Sequence, residues 1–120
     1  MKKLEEEAKK FMQLHNKSMI TADEYQRKAR ETAIYPKKEA LPYLSLGLVS
    51  EAGEVAGKVK KLIRDGTESD VASEVGDVLW YCAMLASEVG VSLGKIMENN
   101  LEKLNDRKQR GKLQGSGDTR

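Results

Sequence analysis

The stretch "YLSLGLVSEAGEVAGKVKKLIR" at residues 43–64 decides the fold class. At about 100° per residue, Leu44, Leu48, Val55, Val59 and Leu62 share one stripe with Leu41 just ahead, the pattern of an amphipathic helix. Pro42 suits its first turn, Gly66 its end, and Lys60, Lys61 and Arg64 the negative end of its dipole. Two acids break the pattern. Glu51 lies at the edge of the apolar stripe, and Glu54 about 60° further round on the same side, with Lys58 between them in projection and Lys61 just beyond.

The segment 70–89, "DVASEVGDVLWYCAMLASEV", repeats the device. Its stripe is Val71, Val78, Cys82, Leu85 and Val89, and Glu74, Tyr81 and Asp77 line one flank, the two acids again offset by about 60°. Ser69 is the expected cap of this helix and Gly90 its end. Ser92 caps a further helix, "LGKIMENNLEKLNDRKQR", whose stripe is Leu93, Ile96, Met97, Leu101 and Leu104, running to Gly111. Upstream, Thr21 followed by Glu24 forms a capping box, and a helical face continues through Tyr25, Ala29 and Thr32 or Ala33 until Pro36. Leu4, Ala8, Phe11 and Met12 mark a short amphipathic helix near the start.

Four main helices with short connections favour an antiparallel bundle, and no strand pattern supports a βαβ reading. The expected organisation is an N-terminal appendage at 1–20, a helical domain at 21–111 and a Gly-rich, extended C-terminal tail at 112–120. Gly47, Gly53, Gly57 and Gly76 each cost roughly 1 kcal/mol relative to Ala inside a helix, which points to close approach of another backbone or of a ligand.

Composition agrees with an all-α protein: the 120 residues hold one Trp, one Phe, four Tyr and two Pro. Lys and Arg total 21 against 19 acids, and the net charge of +2 gives no argument for a nucleic-acid or membrane partner. The single cysteine, Cys82, excludes an internal disulfide, and with no secretory apolar segment at the start the cytoplasm is the expected compartment. No apolar run approaches the roughly 20 residues of a membrane span.

Four carboxylates on matched helix flanks would raise each other's pKa unless a cation lies among them. Oxygen donors in that number suit Mg²⁺, with Mn²⁺ a second option, rather than zinc. On the helix at 93–110, Asn100, Lys103 and Arg107 project into the arc of the apolar stripe, where a phosphate chain would give them a role. Singly, each acidic pair reads as a solvated helix face, and Lys103 alone as a lysine passing the core edge.

The conjunction of ExxE at 51–54, ExxD at 74–77 and NxxKxxxR at 100–107 resembles the MazG-like nucleoside triphosphate pyrophosphohydrolases of the all-α superfamily. The resemblance runs from about Tyr25 and Gln26 through "LGLVSEAGEVAGKVKK" and "SEVGDVLWYCAMLA" to "NLEKLNDRKQRGKLQGSGD". It implies Mg²⁺-dependent cleavage between the α and β phosphates of a nucleotide, giving a monophosphate and pyrophosphate. Glu51, Glu54, Glu74 and Asp77 match the metal ligands, one glutamate also serving the attacking water. Asn100, Lys103 and Arg107 match phosphate-facing positions, and Tyr81 a nucleotide-contacting aromatic. Lys58 and Lys61, beside the acids, complete the expected substrate contacts. Relatives selective for dCTP carry an aromatic where this chain has Lys61, so that stacking platform is missing.

Other readings are hydrolysis of phosphoribosyl-ATP or of an alarmone such as ppGpp and, in another class, a helical dimerisation module without chemistry. A homo-oligomer, dimer or tetramer, is expected, because Leu46, Val49 and Trp80 fall off the core stripes. A subunit contact is the favoured role for Trp80. Cys82 reads as a small buried hydrophobe and His15 as an exposed helix residue. The tail at Gly115–Asp118 could wrap a nucleotide through its backbone N–H groups or be disordered.

Overall fold

The computed structural model describes residues 2–14, 19–66 and 70–120; His15 and Ser69, with the roles expected of them, lie outside the described residues. The described chain is all-α: α1 (Lys2–Leu14), α2 (Ala22–Arg30), a 3₁₀ turn (Lys37–Glu39), α3 (Ala40–Asp65), α4 (Val71–Glu88) and α5 (Leu93–Gln109). No helix among the described residues is long and apolar enough to cross a membrane.

Local chemistry sets the ends. Thr21 and Ser92 cap α2 and α5 as expected, their hydroxyls accepting from the backbone N–H groups of Glu24 and Lys95. Asp70 caps α4 by accepting from the Ser73 N–H. Gly66 closes α3 in the left-handed conformation, φ 68°. Helix α2 stops at Arg30, well before Pro36, where the Thr32 hydroxyl donates 2.7 Å to the Ala29 carbonyl and the chain turns toward α3.

Helices α3 and α4 pack most closely, and α4 is also covered by α2 and, less extensively, by α5. The sequence stripe of α4 is therefore only half of its buried surface. Val78, Cys82 and Leu85 are half-buried, whereas the buried positions are Ala83 and Met84, away from that stripe, and Ala86 on its flank, joined by Leu44, Ala29 and Leu93. A helix held between neighbours on two sides buries two faces, and alanines occur where the approach is tightest.

Helix α5 is fastened at its N-terminal end. The Gln26 side chain accepts from the Leu93 N–H at 2.7 Å and donates to the Ser87 hydroxyl and the Val91 carbonyl, and Asp23 accepts from the Gly94 N–H. Beyond Leu93 the expected stripe of α5 stays open, with Met97 and Leu101 more than half exposed. Among the described residues α5 does not pack closely on α3, and α1 approaches no other helix closely. The radius of gyration, 17.2 Å, exceeds the roughly 14 Å of a compact chain of this length, in keeping with an α1 that stands apart from the other helices.

Candidate active site

The pairing of α3 with α4 brings three of the four expected acids together. One carboxylate oxygen from each of Glu51, Glu74 and Asp77 lies within 4.8 Å of the others. Glu54, exposed and one turn further along α3, stands outside this group, although its charge still acts on Glu51. Loss of water contact first, then the charges of Asp77, Glu74 and Glu54, push Glu51 above the ordinary carboxylate range. Among the described residues no lysine or arginine pairs with any of these four acids. Lys58 is half-buried and Lys61 exposed on the same helix.

An open cavity of about 310 Å³ adjoins the acids, lined by Thr32, Glu51, Asp77, Trp80 and Tyr81. Tyr81 is seated by a glycine: a Cβ at Gly47 would lie 2.1 Å from Tyr81 Cε1, so the ring rests directly on the α3 backbone. Of the glycines inside α3 and α4, Gly47 alone shows the expected close approach; a Cβ at Gly53, Gly57 or Gly76 meets nothing within 4 Å. Burial, followed by the neighbouring Tyr43, Glu51 and Asp77, raises the Tyr81 hydroxyl, keeping it a protonated donor beside the acids.

Trp80 is engaged within its own chain: its indole N–H donates 2.8 Å to Thr32 Oγ1, and its ring meets Tyr81 edge-on at 5.0 Å. Its offset of three residues from Asp77 could have placed it on the acid side of α4; the sequence marked Thr32 only as part of the helical face of Tyr25 and Ala29.

The sequence match is as specific as the geometry. A family model described as the MazG nucleotide pyrophosphohydrolase domain matches residues 41–111, which span α3, α4 and α5. The chain belongs to the MazG family. A relative from Mycobacterium phage L5, named only "Gene 37 protein", is 47% identical over 111 residues, covering 82% of this chain and 97% of the relative. No solved structure matches.

The cationic face of this MazG domain is arranged differently from its acids. Asn100 and Lys103 line a second open cavity of about 300 Å³ with Ile96 and Asn99, and it shares no residue with the acid cavity. Arg107, further along α5, has a side chain only 5% exposed. Its guanidinium donates 2.6 Å to the Asp118 carbonyl, while the Asp118 carboxylate lies 3.8 Å from Arg107 and 3.9 Å from Lys103. The tail is held in this position by Arg120, which donates to the carbonyls of Lys112, Leu113 and Gly117, and by Arg110, which donates to the Arg120 carbonyl. Glycines with positive φ at 115 and 117 permit the turns that fold the tail back.

The donor set fits a hard divalent cation: three carboxylates within reach of one another, in no ion pair among the described residues, with no sulfur or imidazole ligand in the group.

Proposed function

We propose that this MazG domain hydrolyses nucleoside triphosphates between the α and β phosphates, releasing a nucleoside monophosphate and pyrophosphate, with Mg²⁺ or Mn²⁺ as cofactor. The observation that carries the reading is the convergence of Glu51, Glu74 and Asp77, with no ion pair to a cation among the described residues, beside a cavity whose other walls are Thr32, Trp80 and Tyr81. Such a metal, held by these carboxylates, supplies neutralisation of phosphate oxygens and activation of water.

The chain's residues have distinct parts. One of the clustered glutamates takes a proton from the attacking water, whose oxygen bonds to the α phosphorus. The bond to the bridging oxygen breaks, and pyrophosphate leaves with the electron pair. Tyr81, kept protonated, offers a hydrogen bond to the nucleotide beside the acids. Glu54 stands at the rim of the acid group, Lys58, Lys61, Asn100 and Lys103 would meet phosphate charge, and Arg107, engaged by Asp118, holds the tail beside them. Because the acid cavity and the α5 cavity are separate in one chain, the cations of α5 serve these acids through a second copy. The exposed Leu46, Val49 and Ile63 of α3 and Met97 and Leu101 of α5 give that copy apolar surface to cover.

A panel of ribo- and deoxyribonucleoside triphosphates, phosphoribosyl-ATP and ppGpp, each assayed for released pyrophosphate with Mg²⁺, with Mn²⁺ and with chelator, tests the reading. The expected result is chelator-sensitive pyrophosphate release from nucleoside triphosphates. Turnover insensitive to chelator, or none across the panel, would refute it.

A further inference from the structure

We propose that Trp80 is the wall against which the base of the bound nucleotide stacks, and that Thr32 fixes the ring for that purpose. The inference rests on the nucleotide reading above and adds to it the residue that holds the base. Asp77, Trp80 and Tyr81 lie within one turn of α4, so the indole sits beside the acids that would handle the phosphates, in the same cavity. The indole is only half-buried, although it packs on the core.

The ring is held on two sides. Its polar edge is engaged by Thr32 Oγ1, and that hydroxyl donates in turn to the Ala29 carbonyl at 2.7 Å, so the three groups form a relay anchored in α2. Tyr81 meets it at an interplanar angle of 79°, and Tyr81 is itself seated on Gly47. Both aromatic walls are therefore ordered before a ligand arrives, and stacking loses little side-chain freedom.

The other aromatics are occupied elsewhere. Tyr35 and Tyr43 stack on each other at 6.0 Å, with the Tyr35 hydroxyl donating to Glu88, and Tyr25 packs against the core. Lys61 offers no ring. A wall that works through a π face reads ring area and not the hydrogen-bonding edge, so it admits every base and favours purines.

Trp80 is the chain's single tryptophan, which makes its emission a direct reporter. The wild-type protein with Mg²⁺ would be titrated with nucleosides, with non-hydrolysable nucleoside triphosphates and with inorganic tripolyphosphate. Nucleosides and nucleotides are expected to quench Trp80, purines at lower concentration than pyrimidines, and tripolyphosphate is not. Trp80→Leu should raise KM for a nucleoside triphosphate about 5- to 100-fold with kcat within a few fold and tripolyphosphate affinity unchanged, while Trp80→Phe recovers most of the loss. Should Trp80→Leu fail to fold, the wild-type titration decides alone. No nucleoside quenching, equal quenching by tripolyphosphate, or equal weakening of tripolyphosphate binding by Trp80→Leu would overturn the proposal. Nucleoside quenching without pyrophosphate release would leave the base wall standing and refute the hydrolase reading; release without any effect at Trp80 would do the reverse.

Discussion

The α3–α4 pair and the junction of α5 with the C-terminal tail both carry concentrated charge, and the protein treats the two in opposite ways. Between α3 and α4 three carboxylates face one another with no ion pair to a cation among the described residues, and loss of water contact together with the neighbouring acids holds Glu51 above its usual range. At the other site Arg107 is buried against a carbonyl, and the Asp118 carboxylate lies near both cations. Charge that a fold leaves unbalanced is available to a ligand; charge that it balances internally holds the fold together. The acids are thus the functional half of the comparison, and Arg107, as the single chain stands, is a fastener for the tail.

The strongest way to break this contrast is to remove the acids. Asp77→Asn and Glu51→Gln should each lower kcat by about 100-fold or more, since a group that stabilises transition-state charge is worth that much. They should also abolish the rise in melting temperature with Mg²⁺, which at a hundredfold excess over Kd corresponds to about 2.7 kcal/mol. Glu54→Gln, outside the converging group, should cost about tenfold or less; an equal loss would mean that the metal draws Glu54 in. The metal-free fold should hold. Because the folded-state pKa of Glu51 is raised from 4.5, its contribution to stability is complete below that value and is lost as pH rises through the raised one. At neutral pH Glu51→Gln therefore leaves the metal-free protein as stable as before or more so, by thermal melting with chelator.

At the α5 junction the same experiment should give the inverse pattern. Arg107→Ala removes a buried charged donor and its packing, a loss of about 1.5–3 kcal/mol in denaturant unfolding. Asp118→Asn should cost under about 1 kcal/mol, since that carboxylate is 92% exposed and its ion pairs are screened by solvent. Loss of activity in Arg107→Ala with unchanged stability would place Arg107 with the acids and dissolve the contrast.

A smaller effect separates packing from chemistry inside the acid half. Gly47→Ala gains roughly 1 kcal/mol of helix propensity but forces the Tyr81 ring off α3. Net destabilisation of about 1 kcal/mol with a raised nucleotide KM is expected; an unchanged KM would show that the seat of Tyr81 does not matter to binding. Last comes Tyr35, which lines neither the acid cavity nor the α5 cavity. Burial, then its bond to Glu88 and that residue's charge, push its hydroxyl up to about 12 from 10.0. The stability it contributes is present below pH 10 and is lost as pH rises toward 12 and beyond. Tyr35→Phe should therefore flatten the alkaline end of a melting-temperature profile against pH and leave turnover at neutral pH unaltered.

Much of this was legible in the sequence. Thr21, Ser92 and Gly66 act locally, within a turn of themselves, so the helix boundaries they set could be read without knowing what packs on what. The two acidic motifs and the family they belong to were equally visible, because a helix of known register fixes which of its own residues share a side. Register says nothing about which neighbour occupies that side. Only tertiary packing decided that α4 is covered on two faces, so that Ala83 and Met84 are buried more deeply than the stripe of Val78 and Leu85. It also decided that Trp80 reaches Thr32 across 48 residues of chain, and that Arg107 is closed off by Asp118 instead of facing solvent. The separation of Glu54 from Glu51, Glu74 and Asp77 has the same origin: spacing along one helix sets the angle between two side chains, and the position of the second helix selects which of them it meets.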